Sequence, residues 1–395
     1  MLNPSPEKML KEKIIPFWES LKDEARGGFY GLVTARGELD REAPKGCILN
    51  SRILWFFSHC ALQFGGEALR QDADHAFRAL KELFWDSEFG GVFWSLDAQG
   101  KPLDDSKHTY CQAFAIYGLS AYYKLTHNGE ALELAYQLRQ LIEEKMRDEG
   151  GYLEAFTRDF SPASNEKLSE NGVMAERTMN TLLHVFEGYT ELFEAARAPE
   201  VGRSLTAILR LWLDKMYCPA LRRQEVFFDR EYHSLIDLHS YGHDIETSWL
   251  LDWGAALQSD RELTRQVREA NSVLARRILE TAYTGDSLFN ECERGVNAEK
   301  RVWWVQAEGV LGFVHEWRKH PEERDMLQAA RSVYAFIHSR MVEPTTGEWY
   351  NELTPDLEPD LSMALVDPWK CPYHNGRMYL KLLREGEPPA EESRG

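Results

Sequence analysis

Amphipathic and fully apolar segments alternate along this chain. Residues 67–85 have a 3.6-residue spacing of apolar side chains that predicts a helix with one buried stripe, at positions 69, 73, 76, 77, 80, 83 and 84. Similar stretches recur near 7–23, 130–146, 199–216, 262–281 and 322–341. Between them lie segments that are apolar on every side, at 53–57, 110–117 and after 179, 245 and 302. A helix that lacks a charged face is buried all round.

A glycine and aromatic turn signal precedes each apolar segment. Its six copies, of which the last three are weaker, start after the glycine pair or its counterpart at residues 29, 92, 152, 226, 288 and 348. The repeat is therefore close to sixty residues long, with one longer interval. Six amphipathic helices that alternate with six buried ones predict two concentric rings, an all-α (α/α)6 barrel with short β-hairpins. We expect one barrel domain over residues 1–387 and a polar tail over residues 388–395.

Composition and charge limit the partners and the cellular location that we expect for the protein. The net charge of −18 over 395 residues disfavours nucleic acids and anionic membranes as partners. No apolar run approaches the roughly 18 residues that span a bilayer, and the N-terminal region lacks the apolar stretch of a signal peptide. Six scattered cysteines without a CxxC pair predict reduced thiols in a cytoplasmic protein. We expect a monomer or a weak homodimer.

Polar side chains recur at the start of each predicted inner helix. Burying such a group without a partner costs about 1–3 kcal/mol, so their recurrence needs a reason. In a toroid the same end of every inner helix faces one central mouth. We therefore expect one funnel that contains Arg52, Tyr110, Asn180, His184, His243, Glu246, Trp304, Glu308, Trp369 and His374. His59 and His338 fall outside these positions and are expected to be core residues.

Three chemistries fit these residue types. His239, His243 and Glu246 have a spacing that could hold a metal ion. Glu246 and Glu308 could serve glycoside hydrolysis, although three histidines exceed what that reaction requires. Histidine has an ordinary pKa of about 6.5, so His243 and His374 could exchange a proton with opposite faces of one sugar carbon. That third reaction needs no metal and no cofactor.

Six segments carry a family resemblance that extends from residue 14 to Arg377. They are SRILWFF (51–57), KHTYCQAFAIYGLSAYY (107–123), MNTLLHVFEGYTELF (179–193), HSYGHDIETSWLL (239–251), RVWWVQAEGV (301–310) and PWKCPYHNGRM (368–378). In these segments the chain resembles the N-acylglucosamine 2-epimerase superfamily, and most closely its cellobiose 2-epimerase branch. The resemblance implies an (α/α)6 barrel.

The resemblance also implies a reaction without metal or cofactor. The implied reaction epimerises C2 of the reducing-end glucose of β-1,4-linked disaccharides through a cis-enediolate, converting cellobiose to glucosyl-mannose and lactose to epilactose. His243 and His374 are the implied acid/base catalysts, and His184 assists ring opening or binds substrate. The implied sugar-binding residues are Arg52, Tyr110, Asn180, Glu246, Trp249, Trp304, Glu308 and Trp369. Of these, Glu246 and Glu308 are also implied to orient histidines, and Trp249 to line the site. A mannose 2-epimerase, an aldose–ketose isomerase and a non-catalytic sugar-binding barrel stay open as alternatives.

Overall fold

The computed structural model describes residues 2–386, which form two concentric rings of six helices each. The inner helices are Cys47–Phe64, Thr109–Thr126, Met179–Ala196, Tyr241–Ala255, Trp303–Lys319 and His374–Glu385. The outer helices are Pro6–Met9 with Leu10–Ile14 and Ile15–Glu19, Glu67–Ala79 with Leu80–Phe84, Gly129–Lys145, Pro199–Leu211 with Trp212–Met216, Arg261–Thr281, and Arg324–Phe336 with Ile337–Met341. The five-residue segments that start at residues 10, 80, 212 and 337 wind as π-helices.

The inner ring closes on itself. Each inner helix contacts the next along the chain, and the sixth contacts the first. The first outer helix packs on the sixth inner helix, so the first and last described helices are in contact. Trp18 on this outer helix donates from Nε1 to Glu348 Oε2 at 2.7 Å. The (α/α)6 barrel is thus confirmed, whereas the tail over residues 388–395 lies outside the described residues.

Short antiparallel strands connect the helices in two ways. Two local hairpins lie at the repeated turn signal, Arg147–Asp148 with Gly151–Tyr152 and Tyr217–Cys218 with Arg223–Gln224. A third hairpin pairs Leu32–Val33 with Leu39–Asp40. Strands that directly precede inner helices pair instead with the following repeat, which the sequence did not predict. These pairings are Lys45–Gly46 with Ser95–Leu96, Lys107–His108 with Ala155–Phe156, Arg177–Thr178 with Phe227–Phe228, Leu238–Ser240 with Glu291–Glu293, and Arg301–Val302 with Glu352–Leu353. Two of these sheets have a third strand from a local hairpin, in which Pro102–Asp104 pairs with Ser95–Leu96 and Val296–Ala298 pairs with Glu291–Glu293.

Some polar residues at the inner-helix starts serve the fold. The Gln112 amide accepts from the Val92 N–H at 2.8 Å and donates to the Val92 carbonyl at 2.9 Å. Gln306 makes the same two contacts with Leu288, both at 2.8 Å. Asn50 likewise binds backbone in the first repeat. These side-chain amides hold each turn against an inner helix and provide hydrogen-bond partners for buried backbone groups of the turn.

The structure agrees with the predictions made from the sequence for membrane-spanning helices and for the cysteines. No helix between residues 2 and 386 combines the length and apolar character needed to cross a bilayer. All six cysteines carry free thiols, as their scattered spacing predicts.

Candidate active site

A cavity of about 380 Å³ opens where the N-terminal ends of the inner helices converge. Besides backbone and side chains of the surrounding loops, it is lined by nine of the predicted site residues, which come from all six repeats. They are Arg52, Tyr110, Asn180, His184, His243, Glu246, Trp304, Trp369 and His374. The predicted funnel therefore exists, and it brings together side chains that are far apart in sequence.

Glu308 and Trp249 are exceptions among the predicted sugar-binding residues. Neither lines the cavity, because both side chains lie behind His374. Glu308 Oε1 is 2.7 Å from His374 Nδ1, and Glu308 Oε2 accepts from Trp249 Nε1 at 2.9 Å. The expectation that Trp249 and Glu308 line the cavity is therefore corrected. The contact of Glu308 with His374 agrees with the implied role of Glu308 in orienting a histidine.

Trp304 connects the two histidines on which the predicted chemistry depends. The ring centroid of His243 is 4.8 Å from that of Trp304, and the centroid of His374 is 5.4 Å from the same indole. The third histidine, His184, packs edge-on against Tyr110 at 5.0 Å. The fourth and sixth inner helices therefore direct their imidazoles into one cavity.

Each of the three histidines uses Nδ1 for a fixed hydrogen bond. This contact orients the ring and leaves Nε2 free to face the cavity that all three residues line. The Nδ1 partners are Glu187 for His184 at 2.8 Å, Ser240 for His243 at 2.7 Å and Glu308 for His374 at 2.7 Å. Glu187 has a signal in the sequence, since it follows His184 at the i+3 spacing of one helix face.

Burial keeps these imidazoles neutral. It lowers the pKa of both His243 and His374 to about 3, and it also lowers the pKa of His184. A neutral imidazole has one nitrogen lone pair that can accept a proton. Where a carboxylate accepts the Nδ1–H, as at His184 and His374, that lone pair is on Nε2, the atom on the cavity side.

A buried guanidinium organises the carboxylates beneath the cavity. Arg377 donates to Glu246 Oε1 at 2.6 Å, to Glu308 Oε1 at 2.7 Å, and to Glu187. Burial and the nearby Glu308 raise the pKa of Glu246, whereas Arg377 and His374 hold the pKa of Glu308 low against its own burial. The guanidinium thus takes the cationic position between carboxylates that a metal would need. Arg377 is not among the site residues that the sequence predicted.

The predicted metal triad does not assemble. His239 lies on the strand Leu238–Ser240, and its Nε2 is 2.8 Å from Asp244 Oδ2. His243 instead lies in the first turn of the helix Tyr241–Ala255 and lines the cavity. Gly242 is the signal in the sequence for this separation, because a glycine between the two histidines favours a helix that begins after His239.

Arg52 places a positive charge on the cavity wall. Its guanidinium donates to Tyr110 Oη at 2.8 Å and to the Trp369 carbonyl at 3.0 Å, and it stacks over Phe114 and Tyr373. None of its hydrogen-bond partners among residues 2–386 is a carboxylate. Its charge is therefore available to an oxyanion that forms in the cavity.

The rim beside Arg52 carries Trp369, which is 37% exposed. The sixth inner helix starts at His374. Pro368 and Pro372 disfavour an earlier start, because the residue before a proline avoids the helical region. Trp369 therefore lies in a non-helical segment, with its ring free to stack on a sugar.

The family model for N-acylglucosamine 2-epimerase matches residues 27–375. This chain belongs to the N-acylglucosamine 2-epimerase family. It is 48% identical over 403 residues to the cellobiose 2-epimerase of Eubacterium cellulosolvens, covering 98% of this chain and 99% of that one. It is 43% identical to a cellobiose 2-epimerase of Ruminococcus albus, with 95% and 97% of the two chains covered.

Solved structures agree with this family assignment. The cellobiose 2-epimerase from Bacillus thermoamylovorans B4167 superposes with a TM-score of 0.93 at 37% identity, over 96% of this chain and 98% of that one. A D-mannose isomerase has a TM-score of 0.81 at 18% identity, a likeness that shows the shared fold alone. Membership of the family makes this chain an epimerase, which is an enzyme of the isomerase class.

Proposed function

We propose that this epimerase interconverts glucose and mannose at the reducing end of β-1,4-linked disaccharides, without a cofactor. Cellobiose would give glucosyl-mannose, and lactose would give epilactose. The proposal depends above all on one observation, that His243 and His374 pack on the same indole and face one cavity. The names of the similar cellobiose 2-epimerases support the choice of a disaccharide.

The proposed mechanism starts with ring opening, because a C2 proton is acidic only next to a carbonyl. His184 assists this opening from the cavity wall. One imidazole then takes the C2 proton on Nε2, and the C–H bonding pair moves into a cis-enediolate. Arg52 stabilises the developing oxyanion. After rotation about C2–C3, the other imidazole, which has taken up a proton from solvent at Nε2, delivers that proton to the opposite face of C2, and the first imidazole releases its proton to solvent.

Glycoside hydrolysis fits this site less well. It requires two carboxylates that flank the scissile bond from within the cavity. Of the predicted pair, Glu246 lines the cavity but Glu308 does not, and both are bound to Arg377. Proton transfer by the histidines uses side chains that do reach the cavity.

Incubation with cellobiose in D2O tests the proposal. We expect the epimer to carry deuterium at C2, at a rate that EDTA does not change. An epimer without deuterium, or turnover that depends on added metal, would contradict the mechanism. Faster turnover of free mannose than of cellobiose would favour a monosaccharide enzyme, a ketose product would favour an isomerase, and binding without C2 exchange would favour a sugar-binding barrel.

Variants of the two histidines test their roles. His243→Ala and His374→Ala should each abolish turnover while circular dichroism and the melting curve show a folded barrel. His338→Gln is the matched control, because His338 lies between Tyr334 and Tyr379, away from the cavity. Full activity in either alanine variant would refute the role assigned to that histidine.

We also propose that the enzyme acts in the cytoplasm as a monomer or weak homodimer. Its proposed binding partner is the disaccharide substrate, without nucleic acid or a membrane. The net charge of −18 and the free thiols support this setting. Sedimentation velocity over a range of concentrations would measure the oligomeric state, and a stable higher oligomer would contradict it.

A further inference from the structure

The three cavity histidines differ in what holds Nδ1. His184 and His374 each contact a carboxylate, whereas His243 contacts the hydroxyl of Ser240 at 2.7 Å. A carboxylate stabilises the imidazolium through its charge, and a hydroxyl offers only a neutral hydrogen bond. The two proposed proton-transfer residues therefore have unequal support.

The Ser240 hydroxyl does not make the N-cap hydrogen bond that a serine at the start of a helix usually makes. Ser240 is the N-cap of the helix Tyr241–Ala255, where a serine side chain normally accepts a hydrogen bond from a backbone N–H in the first turn. It makes no such cap here. By contrast, Thr178 at the N-cap of the third inner helix accepts from the Thr181 N–H at 3.0 Å.

Ser240 is also placed to act on the cavity. It is buried, it lines the cavity, and its backbone is fixed by pairing with Glu291 in the neighbouring strand. The His243 ring is thus held at two points, by the Ser240 hydroxyl at Nδ1 and by the face of Trp304. Without the hydroxyl, the ring could turn about its χ2 bond and withdraw Nε2 from the substrate.

We propose that Ser240 is a positioning residue whose hydroxyl orients the ring of His243 and holds Nε2 toward C2 of the substrate. This inference rests on the proposed epimerisation. A hydroxyl can accept from an Nδ1–H or donate to an unprotonated Nδ1, so the contact with Ser240 orients the ring in either tautomer. The balance between the two fates of the enediolate then depends on how well Ser240 holds His243 toward C2.

Removing the hydroxyl should weaken one of the two proton transfers selectively. We expect Ser240→Ala to lower kcat on the order of 10²-fold, the size of effect that a misplaced catalytic group can have, with KM changed much less. Ser240→Thr retains a hydroxyl and should restore most of kcat. Thr178→Ala is the matched control, since it deletes an N-cap hydroxyl that contacts no histidine.

The decisive measurement is how the enediolate partitions in D2O. Each intermediate either returns to the starting epimer with deuterium at C2 or proceeds to the other epimer with deuterium at C2. NMR should show that Ser240→Ala shifts this ratio several-fold toward the epimer made by His374, and toward the same epimer from either starting sugar. A loosened barrel would slow both fates equally and leave the ratio unchanged.

The outcomes separate this inference from the proposed function. If the wild-type protein neither exchanges nor epimerises C2, the proposed function fails. If the wild type is active but Ser240→Ala keeps the wild-type kcat, or keeps the wild-type ratio, only the role of Ser240 is overturned. A folded Ser240→Ala variant without measurable turnover, together with an active Ser240→Thr variant, supports the role.

Discussion

Glu308 and His374 form a buried carboxylate–imidazole pair, with 2.7 Å between Oε1 and Nδ1. Replacing Glu308 with glutamine keeps the shape but removes the charge that stabilises a protonated His374. We expect kcat to fall by about 10²-fold or more, because general acid–base catalysis contributes about 10²–10⁴-fold. KM should change little, since Glu308 does not line the cavity. Steady-state kinetics on cellobiose would measure both.

A second buried carboxylate–imidazole pair provides the control for that variant. His59 Nε2 lies 2.9 Å from Glu191 Oε1, outside the cavity. Glu191→Gln should therefore lower stability and leave kcat unchanged. Equal losses of kcat in the two variants would mean that Glu308 acts on the fold and not on His374.

Arg377 contacts three buried carboxylates, so its removal should affect stability strongly. Arg377→Met leaves Glu187, Glu246 and Glu308 without their shared cation, and breaking a buried ion pair typically costs about 3–5 kcal/mol. Urea denaturation at pH 7 would measure this loss. The deficit should shrink as the pH falls, because protonation removes the uncompensated negative charge.

An exposed arginine provides the comparison. Arg265 pairs with Glu262 and Glu269 on the surface of an outer helix. Exposed ion pairs add little to stability, so Arg265→Met should leave the urea midpoint unchanged. A similar midpoint for Arg377→Met would show that the carboxylates beneath the cavity are neutral without the guanidinium.

The repeat in the sequence predicted where helices begin more reliably than which way their side chains face. The predicted outer segment 199–216 matches the observed helical bounds, and Arg52 and His243 reach the cavity as expected. Glu308 and Trp249 were expected to line the cavity, but both lie behind His374. A position near the start of an inner helix can face the cavity or the layer behind it, and a spacing of about sixty residues is too coarse to separate these directions.

Contacts between repeats were also beyond the reach of local patterns. Arg377 binds Glu187, 190 positions earlier in the chain, and no periodic signal relates these two residues. Gln112 and Gln306 are polar residues in otherwise apolar helices, and the sequence does not indicate what they bind. Their partners are backbone groups in the preceding turns, which only the folded arrangement reveals.

Gly242 allows Trp304 to reach the two histidines. A Cβ at residue 242 would lie 2.4 Å from Trp304 Cη2, far inside van der Waals contact. Gly242→Ala should therefore displace the indole and lower kcat/KM on the order of 10²-fold, because displaced groups lose their alignment with the substrate. Titration of cellobiose binding by tryptophan fluorescence, beside kinetics, would measure the effect.

Gly129→Ala is the control for this variant. Gly129 begins an outer helix, and nothing lies within 4 Å of its added Cβ. The substitution should leave activity unchanged and the melting temperature equal or slightly higher, because alanine favours the helix. Wild-type kinetics in Gly242→Ala would show that Trp304 can shift without affecting the reaction.

His338 should make the barrel less stable in mild acid. Burial lowers its pKa in the folded protein to about 4, against about 6.5 in an unfolded chain. Below pH 6.5 the unfolded state binds a proton that the folded state does not, so the free energy of unfolding falls as the pH drops from about 6.5 to about 4. One such proton is worth about 1.4 kcal/mol per pH unit, or up to about 3 kcal/mol across this range.

His338→Phe isolates this contribution, because phenylalanine can retain the ring contacts with Tyr334 and Tyr379 without a titrating group. Urea denaturation at pH 7.5 should show only the change in packing and the loss of the 3.4 Å contact between His338 Nε2 and Tyr379 Oη. Between pH 6.5 and pH 5 the variant should lose less stability than the wild-type protein, by about 1–2 kcal/mol. Parallel curves for the two proteins over this range would mean that His338 takes up its proton in the folded barrel as readily as in the unfolded chain.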